Sequence, residues 1–389
     1  MNFHLGLFFT RGVSLKTWDM VGNLDREIAI YLRMIKAGNQ VTFVTYGGSG
    51  DLKYLERLQG IGIACNEQGL DLERYESELP DIHGKILESL DLIKTNQTYG
   101  AEIASEVSSI FGKPFIARCG YMWSQNCLRE HGPEAPITRE AFRVENKVFN
   151  KADRIVVTTE AMRKDVSLRV NGAENKLVVI PNYVDTDIFR PLNVPKDPDT
   201  IIFVGRIAPE KNLEALFEAI RPLNVRLLII GEGRLRPHLQ RKFADMEDRI
   251  IWEGGIPNFQ LPKYINGAKA FILPSMYEGH PKALIEAMAC SIPVIGCDSP
   301  GIREIINSEN NGLLCATDQQ SLRTAIIRVM NDREFAKMIA INAREFVIDN
   351  CSLQRIAHLE LSLMYKMREI NKQDTRAEQI QTRNSSQPD

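Results

Sequence analysis

No two cysteines in this 389-residue chain are spaced C-x-x-C, and the seven present (Cys65, Cys119, Cys127, Cys290, Cys297, Cys315 and Cys351) are odd in number and scattered. That excludes a disulfide framework and fits free thiols in a reducing compartment. The spacings match no zinc-ligand pattern either. Cys290, Cys297 and Cys315 stand in apolar runs and read as core. No stretch reaches about 18 apolar residues, so no membrane-spanning helix is expected. The apolar patch Phe3–Phe9 is interrupted by His4, stops at Thr10-Arg11, and lacks a signal-peptide layout. A cytoplasmic protein is expected, with peripheral contact at the inner face of a membrane left open. Charge of one sign is missing as well. Forty-eight basic and 50 acidic residues leave a formal net charge of −2, which argues against a general nucleic-acid binder. Gly6 and Gly12 do not make a G-x-G-x-x-G after the first strand, so a dinucleotide-dependent oxidoreductase is disfavoured.

What is present is an α/β rhythm long enough for two domains. Short apolar runs predict strands at Phe3–Phe9, Val41–Thr45, Leu92–Thr95, Pro114–Arg118, Arg154–Thr158 and Leu177–Ile180. Leu24, Ile28, Tyr31, Leu32 and Ile35 share one face of a helix over Asn23–Lys36, which Gly38 stops. Three prolines in Phe189–Thr200 mark a linker. A second series follows at Ile201–Val204, Arg226–Ile230, Ile250–Trp252, Ala270–Leu273, Pro293–Gly296 and Gly312–Leu314. Ser321–Asp349 and Leu353–Ile370 read as helical. The expected division is 1–188, 189–352, a helix 353–370 packing back on the first domain, and a fraying polar tail 371–389. Two Rossmann-like domains would face each other across a cleft at the carboxyl ends of their strands.

The segment after the strand at Leu273 is the most informative: Glu278-Gly279-His280-Pro281-Lys282-Ala283-Leu284-Ile285-Glu286. Pro281 suits a first helical position. The following N–H groups make a ready anion site, suited to a diphosphate, and Gly279 permits close backbone approach. Glu286 stands among Ala, Leu, Ile and Met, where a carboxylate is costly unless paired or bound to a polar ligand. Two ribose hydroxyls would satisfy it; so would Lys282 four residues before it.

This segment resembles the E-x7-E motif of the retaining glycosyltransferases of family 4 (glycosyl transferases group 1), which have the GT-B fold. The resemblance extends to Gly205-Arg206-Ile207 with Glu210-Lys211-Asn212, to Ile180-Pro181-Asn182-Tyr183-Val184-Asp185, to Gly231-Glu232-Gly233 and to Ser299–Glu304. It is dense over 151–315 and weaker but collinear before that. It implies a retaining sugar transfer from a nucleoside-diphosphate sugar to an acceptor hydroxyl in polysaccharide, glycolipid or glycoconjugate synthesis. Arg206 and Lys211 would hold the diphosphate, where negative charge develops on the leaving group. Glu278 would hold the donor sugar and Glu286 the ribose. Gly279, His280, Pro281, Lys282 and Ala283 would meet phosphates or sugar through backbone, and Ile256 would border the base. Surface roles for Arg206 and Lys211 are the plain alternative. A non-catalytic sugar-nucleotide binder of the same fold is the alternative function.

The first half departs from the family's pattern. Its glycine loop lacks the double glycine, with Gly22 the best match. Where a histidine often stands near the reacting sugar, the chain has Asn96 and, after the next strand, Arg118-Cys119-Gly120-Tyr121. Asn96 and Arg118 are candidates for positioning acceptor or sugar, with structural roles equally open; Tyr121 and Trp123 would stack on a sugar face, with plain packing the favoured alternative. Asp185-Thr186-Asp187 and Asp197-Pro198-Asp199 spell D-x-D, but both stand in turns that favour Asp for local bonding. No metal and no cofactor are expected beyond the nucleotide-sugar co-substrate.

Overall fold

The computed structural model describes residues 2–385, with side chains described to Ile370. The first half forms a seven-stranded sheet of β1 (His4–Phe8), β2 (Gln40–Val44), β3 (Gly62–Ala64), β4 (Leu92–Thr95), β5 (Phe115–Cys119), β6 (Arg154–Val157) and β7 (Leu177–Val179). Their order is β3-β2-β1-β4-β5-β6-β7, all parallel. The second half forms a six-stranded sheet of β8 (Thr200–Val204), β9 (Arg226–Ile230), β10 (Ile250–Gly254), β11 (Ala270–Leu273), β12 (Val294–Cys297) and β13 (Leu313–Cys315). Its order is β10-β9-β8-β11-β12-β13, again parallel. These are the two Rossmann-like sheets expected. The strands read as continuous apolar runs because helices cover both faces of a parallel sheet. β3 was not anticipated: Gly-Ile-Ala carries too little apolar weight to register alone. The helical stretch from Ser321 is two helices, Gln319–Asn331 and Arg333–Cys351. They break at Asp332, whose carboxylate caps the second by accepting from Phe335 N at 3.0 Å.

The chain crosses between halves twice, side by side. Val184 N donates to Cys351 O at 2.9 Å, and Leu353 N donates to Val184 O at 2.8 Å. The last helix, Leu353–Ser385, then lies on the first half. Leu353, Ile356, Ala357, Met364 and Met367 join the core formed by Phe3, Leu5, Tyr31 and Phe43. The polar stretch after Asn371, expected to fray, is helical to Ser385; residues 386–389 lie outside the described residues. Among the described residues, no helix is long and apolar enough to cross a membrane.

One charge pair pins this helix. Lys94 on β4 is fully buried and donates to Glu360 Oε1 at 2.6 Å. Burial pushes the Lys94 ammonium down, and Glu360 opposes that. Removing one partner strands a charge away from water, whereas replacing both with apolar groups does not. Glu360→Ala should therefore cost about 3–5 kcal/mol of stability. Lys94→Met combined with Glu360→Leu should recover most of it, as read by thermal unfolding of the single and double variants.

Candidate functional site

The loops after β1, β4 and β5 of the first sheet meet those after β8, β10 and β11 of the second. The segment after β11 forms one wall. Its helix runs Lys282–Ala289, with Pro281 as the N-cap in extended conformation rather than the first helical residue. Proline there leaves the free N–H groups of the first turn to others. Glu278 precedes this helix. Its Oε1 accepts from Lys211 Nζ at 2.5 Å and from Ser275 Oγ at 2.7 Å. The turn carrying Lys211 is tied down by Asn212, which adopts a left-handed conformation at φ 54°. Asn212 Nδ2 donates to Pro274 O at 3.2 Å and to Thr317 O at 2.8 Å. That explains Lys-Asn in this turn: asparagine tolerates the conformation and supplies the donor. Arg206 is different. Its side chain is 80% exposed and reaches Glu210 at 3.1 Å, leaving most of the guanidinium facing solvent.

The loop beyond Glu278 is held by Gly301, where φ is +83°. A Cβ at Gly301 would stand 2.4 Å from Gly279 O and 2.5 Å from Glu278 O, so no larger residue fits. Gly279 in turn lies against the opposite wall, where a Cβ would meet Gly120 O at 2.7 Å. Tyr121, 37% exposed, stands beside it. A cavity of about 260 Å³ opens here between the halves, with Tyr121, Gln125, Arg129, Asp165, Glu278 and Glu304 in its walls.

Glu286 is 1% exposed in its apolar helix. It does not pair with Lys282, the partner its spacing offered. Its Oε1 accepts from Asn258 Nδ2 at 2.8 Å and from Arg26 Nη1 at 3.3 Å. Lys282 instead reaches across to Glu27 Oε1 at 2.6 Å. Burial pushes the Glu27 carboxyl up, but Lys282, Arg26 and Arg118 outweigh it and hold Glu27 at about 2. Glu27 stands on the helix Leu24–Lys36, and Gly22, just before that helix, packs directly on the other half. Asn258 N donates to Gly22 O at 2.9 Å, and a Cβ at Gly22 would lie 3.2 Å from Ile256 O.

The first-half candidates also converge. Arg118 Nη1 donates to Asn96 O at 3.1 Å and Nη2 to Asn182 Oδ1 at 2.7 Å. Asn182 Nδ2 passes the connection on, donating to His280 O at 2.7 Å. The His280 imidazole itself is buried, and its Nδ1 has no partner in the protein. Burial, aided by Arg118, pushes it down to about 4. Trp123 packs edge-on against Tyr99 at 4.8 Å. Both D-x-D sequences turn their first carboxylate onto local backbone: Asp185 Oδ1 accepts from Asp187 N at 3.0 Å, and Asp197 Oδ1 from Asp199 N at 3.1 Å. Among the described residues no cluster of three or more His, Cys, Asp or Glu is placed to hold a metal. Arg26, Glu27, Asn182 and Asn258 were not singled out from the sequence. Nothing local marks Asn258 or Glu27, whose cleft partners Glu286 and Lys282 lie more than 20 residues away.

Two family models divide the chain between them. Glycosyltransferase Family 4 matches residues 27–188, and Glycosyl transferases group 1 matches residues 184–346. An uncharacterized glycosyltransferase of Methanocaldococcus jannaschii is 23% identical over 385 residues, covering 89% of this chain and 95% of that protein. Among solved structures, the Anabaena protein HepE in complex with UDP and glucose superposes with a TM-score of 0.74 at 17% identity, over 94% of this chain and 100% of that one. Sucrose-phosphate synthase from Thermosynechococcus elongatus gives 0.75 at 21% identity, over 94% and 98%.

His280 makes a testable contribution to acid sensitivity. Its folded value lies near 4, below the ordinary 6.5. Between those values the unfolded chain binds the proton that the folded chain refuses, so stability rises with pH across this window and is lost as pH falls through it. The loss from this one residue should approach about 3 kcal/mol by pH 4. His280→Gln should flatten that part of a stability-against-pH curve measured by denaturant titration.

Proposed function

Given that the chain belongs to the glycosyl transferases of group 1 and family 4 and is a glycosyltransferase, we propose that it transfers a sugar from a nucleoside-diphosphate sugar to an acceptor hydroxyl with retention of anomeric configuration. The observation that carries this reading is the array along one cleft: Arg206, Lys211 bound to Glu278, the start of helix Lys282–Ala289, and the buried Glu286. Two cations and a helix N-terminus suit a diphosphate whose charge grows as the sugar bond breaks. Glu278, beside Lys211, is placed to accept from a sugar hydroxyl next to the phosphates. Glu286 keeps its second oxygen for ribose. The divided partners of the two carboxylates support holding roles rather than the nucleophile-and-acid pair of a retaining hydrolase.

The transfer then runs on one face of the donor sugar. The bond from C1 to the leaving phosphate oxygen breaks as the acceptor oxygen bonds C1, and the acceptor proton passes to that phosphate oxygen. Residues 1–188 would form the acceptor-binding domain and 189–352 the donor domain. The cavity beside Tyr121 and Glu278 is where the acceptor would enter, while Asn96, Arg118 and Asn182 line a separate recess with Glu27 and Lys282. A sugar hydroxyl of a growing polysaccharide, glycolipid or glycoconjugate suits the polar walls of that cavity. The UDP and glucose held by HepE make UDP the first donor base to try.

A thermal-shift screen across UDP-, GDP- and ADP-sugars tests the reading. A ligand at about 100 times its dissociation constant stabilises by roughly 2.7 kcal/mol. Lys211→Ala and Glu286→Ala should each weaken that donor severely while circular dichroism stays unchanged; wild-type affinity in both would remove the site assignment. Donor hydrolysis without acceptor separates a transferase from a binder, since a binder would show none. Transfer should survive EDTA, because Arg206, Lys211 and the helix start do the work a metal would; loss of activity there would return attention to Asp185 and Asp187.

A further inference from the structure

The first-half wall of the cleft carries two charges that the transfer chemistry above leaves unused. Arg26 and Glu27 lie in the first turn of helix Leu24–Lys36, and each side chain is 18% exposed. They bond to one another at 3.2 Å. Each also reaches a different group of the opposite wall, Arg26 to Glu286 and Glu27 to Lys282. Lys282 is the first residue of the helix Lys282–Ala289, whose first turn has no side-chain cap. A carboxylate 255 positions away in sequence therefore sits where the positive end of that helix and a lysine together attract an anion.

Resting on the reading of this cleft as a donor site, we propose that Glu27 is an intramolecular competitor of the donor diphosphate: its carboxylate takes Lys282 and latches the two walls together, and the diphosphate binds by displacing it. The charges support an exchange of anions. Three cations, Arg26, Arg118 and Lys282, surround Glu27, so the neighbourhood favours an anion whichever one occupies it. A diphosphate and Glu27 cannot share it, because like charges juxtaposed in a desolvated interface repel strongly. The latch adjoins two other cross-wall contacts, Asn258 N to Gly22 O and Arg26 Nη1 to Glu286 Oε1. A neutral sugar lacks the charge to displace Glu27. The device thus selects for a ligand carrying phosphate.

Calorimetric titration of the full chain with UDP, GDP and ADP, and with uridine, guanosine and adenosine, tests this. Glu27→Gln should lower the dissociation constant of the preferred nucleoside diphosphate by about fivefold or more, and leave that of its nucleoside unchanged. Glu27→Asp, which keeps the charge but shortens the reach, should give a smaller gain and serves if the first variant does not fold. Diphosphate affinity unchanged or weaker in a folded variant overturns the proposal, as does an equal gain for the nucleoside, which would mean general loosening of the cleft. If wild type binds none of the diphosphates, the donor reading falls and this one with it. If wild type binds and the variants match it, only the latch falls.

Discussion

Glu286 sits with almost no exposure in a helix of Ala, Leu, Ile and Met, and a carboxylate there is tolerable only with partners. Its own helix offers none, since Lys282 turns away to Glu27. The partners come instead from Asn258 and from Arg26 on the other half of the molecule. One desolvated charge therefore ties the second half's helix Lys282–Ala289 to the first half's helix Leu24–Lys36. Around that tie the Gly22 loop, the Ile256–Asn258 loop and Tyr183 come together. The seam is polar, and polar groups there must be matched one by one, which gives it a defined register.

The same requirement recurs at the second connection between parts. Lys94 and Glu360 are buried as a pair, and their bond fixes the last helix on the first sheet after the chain has crossed back at Ser352. The two crossings are hydrogen-bonded side by side, so both connections between the halves run through one place.

Much of this was legible in the primary structure because its signals are local. A buried parallel strand needs an apolar run, and among the described residues twelve of the thirteen strands carry one strong enough to read. Lys211 and Glu278 stood out because the short motifs around them resemble those of family 4, and the fold brings the two side chains together at 2.5 Å. β3 escaped because three small or lightly apolar residues do not form a pattern. The break at Asp332 escaped because a single capping residue separates two otherwise continuous helical periods. The polar stretch to Ser385 is helical although Ala377 and Ile380 are its only apolar residues, since its Lys, Gln, Arg, Glu and Ala favour helix.

By itself the sequence determined the two α/β halves, the linker between them and the short motifs around Arg206, Lys211, Glu278 and Glu286. Each of these depends on residues a few positions apart. Only the tertiary structure decided which charge answers which. Glu286 turned to Arg26 and Asn258, Lys282 to Glu27, and Arg118 to Asn182 and through it to His280 O. Spacing could offer Lys282 to Glu286 as a helical neighbour, but it could not weigh that against a carboxylate brought 2.6 Å away by the other half. A buried charge takes the partner that the fold delivers, and that choice is made only once both halves are in place.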